Sequence, residues 1–116
     1  MNSQIKEFHT PNRFKGRTGL QIFVDRFFRS GSPPKPIEGR ILKEWSDVTP
    51  NWGPDKDGEY QNDYFYGGNL KGIIAKLDYI KETGFNLIYL SPIGLSETSH
   101  HYEPIDQLQI DPWIGT

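Results

Sequence analysis

The chain has 116 residues, a formal net charge of −2 and no cysteine. That length gives room for one small domain, the charge argues against a nucleic-acid partner, which needs a basic face, and the lack of thiols excludes disulfides and thiolate metal sites. Hydrophobic residues make up only 34 % but aromatic ones 14 %, so the core must rest on a few large rings rather than on a broad aliphatic interior.

Residues 1–19, "MNSQIKEFHTPNRFKGRTG", mix charges and prolines without an apolar run. They read as an N-terminal extension with no secretory signal. No apolar stretch is long enough to span a bilayer, so a soluble, cytoplasmic protein with no membrane contact is expected.

From Leu20 to Phe28, "LQIFVDRFF" clusters β-branched and aromatic residues as a short buried strand does. Asp25 and Arg26 fall at its C-terminal end, where the plain reading is a surface ion pair of little worth. Residues 29–68 show no helical or strand period, and so long an irregular stretch is uncommon in a compact domain unless it is functional or disordered. Trp45 and Trp52 argue against disorder, so an ordered excursion packed down by its own rings is expected.

The clearest element is "NLKGIIAKLDYIKETG", from Asn69 to Gly84. Leu70, Ile73, Ile74, Leu77 and Ile80 recur at helical spacing as one apolar stripe. Asn69 suits the N-cap and Gly84 the left-handed C-terminal stop. "FNLIYL", from Phe85 to Leu90, then reads as a strand buried on both faces, ended by Pro92. Strand, helix and strand in this order make a right-handed parallel βαβ unit. One helix covers only one face of such a sheet, whereas parallel strands need cover on both. The chain therefore reads as a piece of a larger α/β architecture.

"SHHYEPIDQLQIDPWIGT", from Ser99 onward, brings two histidines, a tyrosine and acids together. Neighbours on an extended chain point to opposite sides, so His100 and His101 cannot share a metal ion from a strand. His101 and Glu103 could, but no metal site is expected. No GxSxG elbow, GxGxxG turn or phosphate loop is present, which sets aside a serine nucleophile and a flavodoxin-like nucleotide binder. An aromatic ring beside an acid and an imidazole suits a sugar pocket, and ligands in parallel α/β folds gather past the strand ends. A plain surface turn with solvated histidines stays open on composition alone.

Three motifs in order carry a resemblance over residues 20–116. "LQIFVDRFF" resembles the first-strand segment of the α-amylase family of glycoside hydrolases, and "DYFYGGNLKGIIAKLDYIKETGFNLIYLSPI" its first helix and second strand. The closing segment is similar to the loop after that strand, while "EWSDVTPNWGPDKDGEY" resembles the long first loop of neopullulanase-like bacterial members. The resemblance implies an α/β fold: the incomplete strand–helix–strand start of a (β/α)8 TIM barrel over residues 20–116, with the second helix due at Gly115–Thr116. It also implies retaining cleavage or transfer at α-glucosidic bonds of maltodextrin-like oligosaccharides.

Residue by residue, the resemblance makes Tyr102 the platform that stacks on the sugar and His100 a wall residue beside it. Asp25 and Arg26 match a structural pair, and Asp111 with Pro112 a turn leading into the second helix. Glu103 stands where an aspartate is usual and His101 where a glycine or a basic residue is usual, both at the expected pocket rim. Calcium binds some members after the first strand and through the aspartate of "GGD". Here those positions read "RSG" and Asn69, so no cofactor is expected. The family's catalytic acids lie on later strands, so no catalytic residue is expected in residues 1–116, and these alone should be inactive without the remainder of the barrel. The alternative is a non-catalytic relative, a structural or sugar-binding module such as the heavy-chain subunits of amino-acid transporters.

Overall fold

A computed structural model describes residues 6–47, 53–60 and 62–115. Trp52 and Thr116 lie outside the described residues, and with them part of the expected ring packing and of the expected second-helix start.

Strand β1 (Gly19–Ile22) pairs in parallel with β4 (Leu87–Leu90), Gly19 opposite Leu87 and Ile22 opposite Leu90. Between them run two short helices, α1 (Leu70–Ala75) and α2 (Leu77–Thr83). The apolar stripe becomes core only in part. Ile73 and Ile80 are buried with Ile22, Val24 and Ile114, each contributing roughly 2 kcal/mol by leaving water. Ile74 and Leu77 stay exposed on the neighbouring turn.

The helix starts where its cap predicts. Asn69 Oδ1 accepts the Gly72 N–H at 2.7 Å and the Ser30 N–H at 3.1 Å, while its Nδ2 donates to the Ser30 carbonyl at 3.0 Å. One side chain thus caps α1 and ties down the loop after β1. The expected single helix is broken at Lys76, whose N–H turns back to Ile73 O and Ile74 O. Its Nζ lies 4.5 Å above the Phe28 ring. Gly84, at φ 107, ends α2 in the left-handed region.

Two strands differ from expectation. The run from Leu20 to Phe28 is not one strand. After Ile22 the Val24 N–H bonds the Ser91 hydroxyl at 3.1 Å, and the chain closes a 3-10 turn over Val24–Arg26. The run from Phe85 to Leu90 shortens to β4 and is not buried on both faces. Its residues alternate between exposed and half-buried because Ile88 and Leu90 pack on the core cluster with Ile73 and Ile80, while Leu87 and Tyr89 point to the other, uncovered face.

The aperiodic stretch does contain pairing. β2 (Ile41–Leu42) lies parallel to β3 (Tyr64–Phe65), and Trp45 packs 5.7 Å from Tyr66. After β4 comes a hairpin that periodicity did not reveal, β5 (Gly94–Ser96) antiparallel to the bulged, exposed β6 (Pro104–Ile110). No helix among the described residues is long and apolar enough to cross a membrane.

Candidate functional site

The turn between β5 and β6 carries the residues singled out from sequence. It is fixed by one bond to the first loop, Ser99 N–H donating to Asn62 O at 2.9 Å, and by one of its own, Ser96 Oγ donating to Glu103 O at 2.9 Å. His100 Nδ1 accepts the Tyr102 N–H at 3.0 Å, which leaves the ring hydrogen of a neutral imidazole on Nε2. The His100 and Tyr102 rings stand 5.8 Å apart, tilted by 37°. Tyr102 is 54 % exposed and lines a shallow depression of about 360 Å³ with Pro92, Gly94, His101, Pro104 and Gln107. A larger cleft of about 800 Å³ lies apart from Tyr102, between the first loop and the hairpin. Its lining combines the acids Glu38, Asp55, Glu59, Asp63 and Glu97 with Arg40.

His101, expected at the pocket rim, borders the depression but turns its ring inward. Its side chain is 2 % exposed, with Nε2 3.0 Å from Asp111 Oδ2 and Nδ1 2.9 Å from the Ser99 carbonyl. Each ring nitrogen thus faces an oxygen acceptor. The backbone of His101 sits at φ 62, a left-handed position that glycine fills most easily. Glu103 is exposed and offers its carbonyl to the turn.

Behind the turn is a buried ionic hub that sequence reasoning missed. Arg40, from the first loop, grips Asp111 with both guanidinium nitrogens: Nη1 lies 2.9 Å from Oδ1, and Nη2 bonds Oδ2 and also the Ser96 carbonyl at 2.7 Å. The guanidinium lies 4.5 Å from the Phe65 ring and 5.0 Å from that of Trp113, a cation held against a pair of rings that pack on each other. Burial alone would raise the Asp111 carboxyl. Hydrogen bonds from His101, Arg40 and the Trp113 amide, with the Arg40 charge, outweigh it and hold the group well below the usual carboxylate range. The one available signal was an aspartate set between Ile110 and Trp113, apolar flanks that foretell burial.

Asp25 and Arg26 are not a surface pair. Asp25 is buried and accepts the amides of Tyr66, at 3.0 Å, and Gly67, at 3.0 Å, besides Arg26 Nε at 3.0 Å. Burial outweighs these bonds and leaves its carboxyl raised. Both buried carboxylates are thus committed to neighbours within the fold. Among the described residues no three His, Asp or Glu side chains converge to hold a metal ion.

A family model described as alpha amylase, catalytic domain, matches residues 11–116. An amylopullulanase of Thermoanaerobacter thermohydrosulfuricus is 37 % identical over 126 residues, spanning 95 % of this chain and 8 % of the relative. Neopullulanase 2 of Thermoactinomyces vulgaris is 38 % identical over 108 residues, spanning 93 % of this chain and 16 % of the relative. The chain therefore spans under a fifth of the length of these curated relatives. The cyclic alpha-maltosyl-(1→6)-maltose hydrolase of Arthrobacter globiformis, in complex with maltose, superposes with a TM-score of 0.71 at 32 % identity, over 91 % of this chain and 21 % of that one.

Proposed function

This chain belongs to the alpha-amylase family, within its catalytic domain, and from that premise we propose that it supplies the opening strand–helix–strand part of a (β/α)8 barrel and one wall of its sugar pocket. The complete barrel cleaves α-glucosidic bonds of maltodextrin-like oligosaccharides with retention of configuration. The exposed faces of α1, α2 and β4 (Ile74, Leu77, Leu87 and Tyr89) are those that neighbouring β/α units would cover.

The observation that carries the pocket reading is the Tyr102–His100 pair at 5.8 Å. The exposed tyrosine ring offers an apolar face to a sugar ring. His100, its Nδ1 occupied by the Tyr102 amide, offers an Nε2–H to a hydroxyl. Retaining hydrolysis needs two carboxyl groups about 5 Å apart across the bond, one as nucleophile and one as acid and base. Asp25 and Asp111 are tied into the fold and serve neither role. The catalytic acids are assigned to the remainder of the barrel.

Calcium does not suit the residues after β1. Asn69 Oδ1 is already shared between two amide N–H groups, and the guanidinium of Arg29, with a buried Nη1, stands beside Gly67. A second cation there would meet repulsion.

Hydrolysis of a chromogenic maltoside tests the reading in two preparations. Residues 1–116 alone should give no turnover, and the complete gene product carrying them should give steady release. Turnover by the isolated segment that Tyr102→Ala abolishes would overturn the assignment of the acids. Absence of turnover from the complete product would favour the non-catalytic alternative.

A further inference from the structure

We propose that His101 is a positioning residue for the sugar wall, fixing the placement of Tyr102 and His100 through Asp111 and Arg40; this rests on the reading of that pair as the wall. Three consecutive residues divide their labour. His100 and Tyr102 present rings 5.8 Å apart, while His101 between them turns its ring inward. It does so at φ 62, a region that costs a non-glycine residue roughly 1 kcal/mol. That cost is offset only because the ring reaches two acceptors, the Ser99 carbonyl and Asp111, and packs edge-on to Phe65 at 6.1 Å.

Asp111 is in turn immobilised. Arg40 holds both its oxygens, and the Trp113 amide donates to Oδ1 at 2.8 Å. Arg40 itself is 4 % exposed and lies against the Phe65 and Trp113 rings. The anchor of an exposed platform therefore lies in the interior, on a residue of the first loop. A platform held this way keeps its spacing without a ligand, and small displacements of such groups cost catalysis heavily, up to about a hundredfold for 1 Å.

Steady-state kinetics of the complete gene product on a chromogenic maltoside tests this, with thermal melting of each variant alongside. Glycine at 101 accepts the backbone angle and removes the ring with its contacts to Asp111, Ser99 and Phe65, so His101→Gly should still fold, with a lowered melting temperature. Its kcat/KM should fall about tenfold. His101→Lys restores a donor toward Asp111 and should recover most of that loss. A kcat/KM within twofold of the parent for His101→Gly, while Tyr102→Ala is strongly impaired, overturns the positioning role and leaves the wall reading intact. So does a large fall in melting temperature with unchanged kcat/KM in the folded protein, the mark of a merely structural residue. An unimpaired Tyr102→Ala overturns the wall reading itself, and the positioning role with it.

Discussion

Arg40 and Asp111, 71 positions apart in the chain, meet in the interior through a two-point ion pair, with Nη1 2.9 Å from Oδ1 and Nη2 against Oδ2. Their side chains are 4 % and 0 % exposed. Two charges this deep are costly to desolvate, and further hydrogen bonds offset part of that cost: Ser96 O on the guanidinium, His101 and the Trp113 amide on the carboxylate. The hub joins the aperiodic first loop to the turn that displays Tyr102.

Removing one partner leaves the other charge buried and unpaired. Asp111→Asn keeps the shape but loses the negative charge and turns one acceptor into a donor facing Arg40 or His101. Equilibrium urea unfolding should show a loss on the order of 3–5 kcal/mol. A loss below about 1 kcal/mol, the scale of a surface pair, would contradict a dry hub.

Acid should act through the same group. The Asp111 carboxyl is lowered in the folded state from its ordinary value of 3.8. Its stabilisation is therefore complete above that value and is lost as pH falls through the lower, folded one. Asp25 runs the other way: its raised carboxyl contributes stability present below 3.8 and lost as pH rises through the raised value. Melting temperature followed from neutral pH downward should fall below about pH 4 in the parent and fall less steeply in Asp111→Asn. Parallel profiles would remove Asp111 from the acid response.

Gly72 gives a test of the packing between α1 and the turn after β1. Alanine is ordinarily worth about 1 kcal/mol more than glycine inside a helix. Here its Cβ would stand 1.9 Å from the Phe28 carbonyl oxygen and 2.6 Å from its carbon, so backbone must move. Gly72→Ala should lower the melting temperature despite the propensity gain. It should also cost more than Gly84→Ala, where the added Cβ meets open space and only the φ of 107 is strained. The reverse order would show that the helix sits further from the turn.

Local features were legible in the sequence because they depend on neighbours in the chain. The Asn69 cap, the Gly84 stop and the burial of Ile73 and Ile80 all follow from residues within a few turns. The hub was not legible. Arg40 in "EGRIL" carries no periodic mark, and its partners are 56 and 71 residues away. His101 illustrates the same limit. Resemblance placed glycine or a basic residue at its position and suggested a rim, whereas its left-handed backbone and its contact with Asp111 account for both preferences from the inside. The strand expected to be buried on both faces failed for a different reason: Leu87 and Tyr89 stay exposed while Ile88 and Leu90 are half-buried, so only one of its faces is covered.

The sugar wall itself is tested most directly by Tyr102. In the complete gene product, kcat/KM on a chromogenic maltoside should be measured for the parent, Tyr102→Phe and Tyr102→Ala. Phenylalanine keeps the stacking face and should stay within a few fold of the parent, whereas alanine removes it and should lose at least about tenfold, near 1.4 kcal/mol of transition-state stabilisation. Equal values for parent and Tyr102→Ala, with both proteins folded, would contradict the placement of a sugar ring on this residue.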